Sequence, residues 1–151
     1  MDNNLIILDN IKNKIHTIRN NQVMLDRDLS NLYNIETRAL KQAVNRNIKR
    51  FPLDFMFILT NEEINYLVSQ NVIPSKKYLG GALPYAFTEQ GIANLASIIS
   101  NNKAIGINIQ IMRTFVSIRR FLSNNAGIFQ RLKKLIKHIS KYEKITTKEA
   151  K

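Results

Sequence analysis

The sequence predicts an α+β fold that is mostly helical, with short antiparallel strands and a helical extension at the C-terminus. Three observations predict it. Apolar residues recur every three or four positions along most of the chain, the period of an amphipathic helix. Asp, Thr or Asn residues that can cap helices precede several of these stretches. Short apolar runs bounded by turn residues are typical of strands.

The chain is expected to begin with a helix and a hairpin. Apolar residues at positions 5, 8, 11 and 15 have helical spacing. Two short strands, at 17–19 and 22–24, flank Asn20 and Asn21. Because Asn tolerates positive φ, this pair predicts a tight turn between the strands.

Two short helices in succession then form a helix-turn-helix candidate. The first is expected over 27–33, capped by Asp26 and ended by Asn34 in the left-handed conformation. The second is expected to begin near Glu36 or Thr37.

This second helix is expected to run to about Arg50, because Pro52 follows and disfavours helix just before it. Its apolar stripe comprises Leu40, Val44 and Ile48, supported by Ala39 and Ala43.

A strand, a helix and a loop are expected next. The apolar run 55–59 predicts a buried strand, and Thr60 with Glu63 forms a capping box that opens a helix. The Pro- and Gly-containing segment 72–87 predicts a hairpin-like loop. Two cations lie near the tip of this loop, Lys76 and Lys77. The loop is either a wing that contacts backbone phosphate or a solvated turn.

Two more helices are expected to complete the domain. Thr88 is expected to cap one that extends to about Ile99. Asn101 or Asn102 is expected to cap a long one over roughly 103–122. The long helix is expected to face the core with an apolar stripe: Ile105, Ile109, Met112, Phe115 and Val116.

The domain is expected to span residues 12–123, because residues 123–127 look like a break. The remainder, 124–151, is expected to be a basic helical extension. Its apolar residues form an a/d seam of two heptads: Ile128, Leu132, Leu135, Ile139 and Tyr142. Packing of this seam on the domain and pairing of two copies into a homodimer fit the pattern equally well. A membrane-surface or nucleic-acid role of the basic helix is a weaker third interpretation.

The charge of the chain favours a polyanionic partner. It has 23 Lys and Arg against 11 Asp and Glu, a formal net charge of +12. From Gln90 to Tyr142 there are nine Lys or Arg and no acid. An AT-rich genome enriches Lys but not Arg, and nine Arg occur. The distribution therefore favours a nucleic-acid surface over a merely solvated basic face.

The second helix of the pair carries the strongest such pattern. The face opposite its apolar stripe holds amides and cations together: Arg38, Lys41, Gln42, Asn45, Arg46 and Lys49. Amides pair with adenine, Arg pairs with guanine, and Lys and Arg neutralise phosphate. An ordinary exposed helix usually mixes acids with bases, and here Glu36 is the only acid. We expect base readers at Arg38, Gln42, Asn45 and Arg46, and phosphate contacts at Lys41, Lys49, Arg50, Lys76 and Lys77.

Several function classes are excluded or disfavoured. Cys is absent, which excludes disulfides, a thiol nucleophile and thiolate metal sites, and two His are too few for a multi-His site. No acid spacing supports a metal-dependent nuclease. We therefore expect no enzyme, metal, cofactor or small-molecule substrate. No apolar run approaches the roughly 20 residues that span a bilayer, and the acidic N-terminus is unlike a signal peptide. A cytoplasmic location, in a bacterial or phage-infected cell, is expected.

Three segments, in this order, resemble the KilA-N/ORF-six-N type of domain: VMLDRDLSNLYNIETRALKQAVNRNIKRFPLDFMFILT, LPYAFTEQGIANLASII and NIQIMRTFVSIRRFL. RFPLDFMF and YAFTEQG are the most specific stretches. The resemblance implies a small α+β DNA-binding module of bacteriophage and large-DNA-virus proteins, often joined to an effector domain in antirepressor-like proteins. The sequence departs from the pattern at Asn34, where Gly is expected, and within 72–77.

We therefore expect sequence-specific binding of double-stranded DNA in phage-type transcriptional regulation. The alternative is an antirepressor-like protein-interaction module that sequesters a repressor through the apolar seam of the last helix.

Overall fold

The computed structural model describes residues 9–149, with side-chain detail as far as position 139 except at Phe129. Positions 5 and 8 of the expected N-terminal helix lie outside the described residues. Within them, residues 9–12 are helical, and the helix ends before Ile15.

The fold is α+β, as predicted, with a small antiparallel sheet and mostly helical remainder. The strands are β1 (His16–Ile18), β2 (Asn21–Leu25), β3 (Met56–Ile58) and β4 (Tyr85–Phe87). The helices are α1 (Asp26–Tyr33), α2 (Thr37–Arg46), α3 (Asn61–Ser69), α4 (Glu89–Ile98), α5 (Asn102–Asn124) and α6 (Ala126–Glu149). Two short 3-10 helices cover Ile48–Arg50 and Lys76–Leu79.

The sheet has the strand order β1-β2-β4-β3, with every pair antiparallel. The predicted hairpin is present, but its turn lies one residue earlier, because Ile18 pairs with Asn21. The turn residues are Arg19 and Asn20, and both have positive φ, 53° and 62°. Positive φ at both central residues matches the right-handed twist of the flanking strands.

Both faces of the sheet are buried. Val23 and Leu25 of β2 join an apolar cluster with Ile64 and Leu67 of α3. Met24 points to the opposite face, because successive strand residues alternate, and it is also fully buried. Apart from its edges, the sheet therefore forms the middle of the core.

The predicted helix starts are confirmed at three capping residues. The Thr60 hydroxyl accepts from the Glu63 amide, and the Glu63 carboxylate accepts from the Thr60 amide, which makes the capping box. Thr88 accepts from the Gly91 amide at the start of α4. Asn101 Oδ1 accepts from the Ala104 amide at 2.7 Å and opens α5.

The two most specific stretches of the sequence meet at the carbonyl of Phe55. That oxygen accepts from the Thr88 amide at 3.0 Å and from the Thr88 hydroxyl at 3.2 Å. Gly91, one turn into α4, lies so close that a Cβ there would stand 2.0 Å from the same oxygen. The absence of a side chain at Gly91 therefore lets α4 pack on the segment before β3.

The predicted core face of α5 holds at Phe115 and in part at Met112, and it is wrong at the other three residues: Ile105, Ile109 and Val116. Buried residues of the helix include Ala104, Asn108, Ile111 and Phe115. Ile105 and Ile109, expected in the core, are 49% and 48% exposed. The helix carries apolar residues on two adjacent faces, and the buried face also includes small or polar residues: Ala104, Asn108 and Thr114.

Two compact units make up the chain, Met1–Thr114 and Phe115–Lys151. The second unit comprises the end of α5 and all of α6, separated by Asn125. The predicted domain limits, 12–123 and 124–151, stay predictions. None of the helices in the described part of the chain is long and apolar enough to cross a membrane.

Candidate nucleic-acid interface

A sharp turn joins α1 to α2. Asn34 has φ 58° and ψ 46°, the predicted left-handed conformation, and its amide donates to the Asn31 carbonyl at 3.2 Å. The hydroxyl oxygens of Ser30 in α1 and Thr37 in α2 lie 2.7 Å apart. Asn therefore serves where the family pattern has Gly, because its short polar side chain tolerates this backbone region.

A hydrogen bond from a buried hydroxyl connects α1 to α5. Tyr33 is completely buried and donates a hydrogen bond to Asn108 Oδ1 of α5. Burial raises the pKa of Tyr33 above its ordinary value, so the phenol stays protonated and remains a donor. This bond fixes α1, and with it the turn, against α5.

The second helix is shorter than predicted. It ends at Arg46 rather than near Arg50, and the last three residues form the 3-10 helix Ile48–Arg50. The Asn47 side chain donates to the Ala43 carbonyl at 2.8 Å, which satisfies an acceptor at the helix end. The predicted stripe holds at Leu40 and Val44, both fully buried. It fails at Ile48, which is 50% exposed because the helical period has already ended.

The predicted base readers share the exposed side of α2: Arg38, Gln42, Asn45 and Arg46. Lys49 and Arg50 are also exposed, in the 3-10 helix that follows. One short segment therefore brings six of the predicted site residues to the surface, with amides and cations interspersed.

Lys41 has a structural partner. It is half-buried, its Nζ lies 3.2 Å from Asp26 Oδ2, and it donates to the Leu83 carbonyl at 2.9 Å. Its ammonium already neutralises a buried carboxylate, which a phosphate contact would have to disrupt. Its predicted role at phosphate stays a prediction.

Asp26 does not cap α1 as predicted. It is the first residue of the helix, and the N-cap is Leu25. Its Oδ1 accepts from the Arg27 amide at 2.7 Å, and its Oδ2 accepts from the Tyr85 amide of β4 at 3.0 Å. Together with the ion pair to Lys41, these hydrogen bonds connect α1 to α2 and β4 through Asp26.

Tyr85 is the nearest structural support of the exposed face. Its hydroxyl donates to Asn45 Oδ1 at 3.3 Å, and Lys41 Nζ lies 5.0 Å from its ring centroid. The bond involves only Oδ1, so the two Nδ2 hydrogens of Asn45 stay available to other acceptors. Sequence reasoning missed both Tyr85 and Asp26, since their partners are tens of residues away and no spacing links them.

The 3-10 helix that follows α2 is anchored to α4 at Arg50. The Arg50 guanidinium donates to the Ser97 hydroxyl at 3.1 Å, and Asn94 donates to the Arg50 carbonyl at 2.6 Å. The predicted phosphate contact of Arg50 would share this guanidinium with Ser97.

The predicted hairpin-like loop around Lys76 and Lys77 was wrong. Both residues are exposed, but they lie on the 3-10 helix Lys76–Leu79, which Ser75 caps and Gly80 ends with φ 61°. The Arg27 guanidinium of α1 stacks 4.3 Å from the ring centroid of Tyr78 in this 3-10 helix. The contact ties the 3-10 helix to α1. Its serine cap and left-handed glycine favour a compact helical turn over a hairpin.

The part of the chain that the structure describes contains no group of three or more His, Cys, Asp or Glu side chains that could hold a metal ion.

In the comparison with family models, the model of the ORF6N domain matches residues 13–98, from just before β1 to the end of α4. Neither the curated proteins nor the solved structures yield a match. The matched region includes both helices of the pair and the motifs that meet at Phe55. Since the match extends over more than half of the sequence, the chain belongs to the ORF6N domain family.

Proposed function

We propose that this protein binds double-stranded DNA in a sequence-specific manner, with α2 in the major groove, as part of phage-type transcriptional regulation. The observation that carries the proposal is the two-sided character of α2. Leu40 and Val44 are fully buried, whereas Arg38, Gln42, Asn45 and Arg46 share the solvent side.

The exposed residue types fit base reading better than simple charge attraction. Gln42 and Asn45 are neutral, so they add nothing to phosphate neutralisation, but they can hydrogen-bond to base edges. Arg38 and Arg46 suit guanine or phosphate. The two kinds of residue on one helix supply both parts of a specific complex.

The exposed lysines would bind the phosphate backbone, which positions the protein on DNA but carries no sequence information. Lys49 follows α2 directly, and Lys76 with Lys77 adds two charges on a separate 3-10 turn. The formal net charge of +12 supports a strong, salt-dependent attraction to any DNA. The proposed activity is binding alone, so plasmid incubated with the protein and magnesium should stay uncut.

Selection from a random duplex library, followed by binding isotherms on the selected and random DNA at several salt concentrations, tests the proposal. Gln42→Ala with Asn45→Ala should weaken binding to the selected site by about 1–3 kcal/mol for each lost paired contact. Binding to random DNA should hardly change.

Lys76→Ala with Lys77→Ala is the matched control for charge. It should weaken binding to both DNAs by similar factors, and the salt slope should fall by up to about two phosphates' worth. A folded amide variant that binds both DNAs like the parent would show that α2 does not read sequence. Failure to bind any DNA at low salt would overturn the proposal as a whole.

An antirepressor-like interaction module is the second candidate function, favoured by the surface of α6. Its seam is exposed at Ile128, Leu132, Leu135 and Ile139, between 46% and 57% each. Either a repressor or a second copy of the chain would bury such a seam. A dimer in sedimentation of the protein alone would favour the second copy. A monomer that binds no DNA but forms a complex with a repressor would favour the antirepressor.

A further inference from the structure

We infer that a groove between α4 and α5 is a docking site for an acidic amphipathic helix of a partner protein. The groove has a volume of about 540 Å³. One wall is Ala93 and Ala96 of α4, and the other is Ile105, Ile109 and Met112 of α5. None of its lining residues belongs to α2, and the inference does not depend on DNA binding.

The shape of the groove suits a helix. Ile105, Ile109 and Met112 stand at positions i, i+4 and i+7, so their side chains form one row along α5. The two isoleucines are half exposed, whereas Ile111 of the same helix is fully buried. The small alanines opposite leave room for apolar side chains of a second helix, the usual arrangement of helix-in-groove recognition.

The groove also contains an unsatisfied buried polar group. Asn108, which lines it, is 94% buried by its 6% exposure, and its Nδ2 has no hydrogen-bond partner among the described residues. The other amide atom, Oδ1, is occupied by the Tyr33 hydroxyl. A buried donor without an acceptor is costly, so a shift of the Asn108 side chain that brought Nδ2 to a carbonyl or carboxylate oxygen of an occupant would be favourable.

The charges around the groove select the partner. Arg113 lines its rim and is exposed, and Lys103 lies on the same helix. From Gln90 to Tyr142 the sequence has no acid, so neither wall offers a negative charge after Glu89 at the start of α4. A second copy of this groove would bring cations against cations. A helix flanked by Glu or Asp would instead be complementary.

Selection on the full-length protein from a display library of random peptides about four helical turns long tests the inference. Enriched peptides should combine apolar residues at i, i+3 or i+4 and i+7 with acidic flanks. Their affinity should fall by about tenfold or more in Ile109→Glu, which adds charge at a half-exposed position without emptying the core.

Leu132→Glu on α6 is the matched control, because Leu132 is exposed to a similar extent but lies outside the groove. Peptide affinity should not change in this variant, and circular dichroism should show both variants folded. DNA binding should be the same in Ile109→Glu as in the parent, which separates this inference from the proposed function.

Four outcomes would overturn the inference. Two concern the peptides: enriched sequences without acids, and equal affinity for Ile109→Glu and the parent. A parent dimer that Ile109→Glu converts to a monomer would make the occupant a second copy. Loss of DNA binding in Ile109→Glu with an intact fold would assign the groove to DNA.

Discussion

At the scale of single residues, the contact between Tyr85 and Asn45 determines how the Asn45 amide would meet the proposed DNA partner. With Oδ1 held by the Tyr85 hydroxyl, Asn45 presents its Nδ2 donors, which suit base-edge acceptors such as O6 and N7 of guanine. A paired contact to adenine needs both amide atoms, and Oδ1 can make it with its second lone pair while it still accepts from Tyr85. The Tyr85 bond therefore fixes the orientation of the Asn45 amide, and with it the preference of Asn45 among base edges.

Tyr85→Phe should loosen this preference without unfolding the protein. The ring that faces Lys41 remains, and only one hydrogen bond, worth about 0.5–1.5 kcal/mol net, is lost. We expect reduced discrimination at one base pair of the selected site and unchanged affinity for random DNA. Competition binding with a panel of single-base variants measures this. Tyr78→Phe is the control, since that ring stacks on Arg27 away from Asn45, and it should leave the base preference intact.

A second prediction at this scale concerns pH. Arg19 donates two hydrogen bonds to Glu63, both at 2.8 Å, and holds the pKa of that carboxyl at about 2, well below its ordinary 4.5. A lowered folded-state pKa means that the pair stabilises the fold above pH 4.5, and that this contribution is lost as the pH falls toward 2. Because Arg19 is substantially exposed, the gain is about 1 kcal/mol or less.

Glu63→Gln isolates this charge, since Gln at the same position can still complete the capping box. The parent should be more stable than the variant at pH 7, and the difference should vanish near pH 2. Urea midpoints from circular dichroism at the two pH values measure it. An equal difference in stability between parent and variant at both pH values would mean that the shape of the Glu63 side chain, and not its charge, stabilises the fold.

At the scale of elements, the sequence predicts most reliably what local chemistry controls. The caps at Thr60 and Thr88 and the left-handed Asn34 were located correctly, and Asn101 was one of two residues expected to cap α5, because each depends on a partner within a few residues. The capping residues therefore fixed where α3, α4 and α5 begin.

Faces and ends that depend on distant partners were harder to predict. On α5, periodicity could not choose between two adjacent apolar faces, and the buried one includes Asn108, whose partner Tyr33 is 75 residues away. The candidate site shows the same division. The exposed residues of α2 followed from its stripe, whereas the tie between Lys41 and Asp26 required the folded sheet.

Gly91→Ala should be among the most damaging small substitutions in the protein. The new Cβ would stand 2.0 Å from the Phe55 carbonyl oxygen, which is backbone and cannot rotate away. We expect a loss of about 3 kcal/mol, the upper range for overpacking. Thermal and urea unfolding of the purified variant measure the loss.

Gly106→Ala is the matched control for Gly91→Ala. Gly106 lies in α5 with nothing within 4 Å of a built Cβ, so Ala there should stabilise the protein by about 0.5–1 kcal/mol. If the two substitutions had similar effects, close packing of α4 on Phe55 would not explain the glycine in YAFTEQG.

At the scale of the whole molecule, the question is what buries the apolar residues of α6. The described apolar residues that are buried lie almost entirely within the first compact unit, whereas the seam of α6 is exposed as far as its side chains are described, to Ile139. We propose that α6 pairs with its counterpart in a second copy, which would also give the protein two DNA-reading helices. Two heptads make a short coiled coil, so the dimer should dissociate at low protein concentration.

A chain ended at Asn124 should therefore keep its fold but lose its self-association. The truncation retains all of α5 and every residue of the ORF6N match. Circular dichroism should show cooperative unfolding, and sedimentation velocity should give a monomer where the full chain gives a dimer. The full-length double variant Leu132→Glu with Leu135→Glu should reproduce the monomer, because it places charge at two seam positions. An unfolded truncation would instead assign α6 to the core of its own chain, and a full chain that sediments as a monomer at every concentration would rule out pairing through the seam.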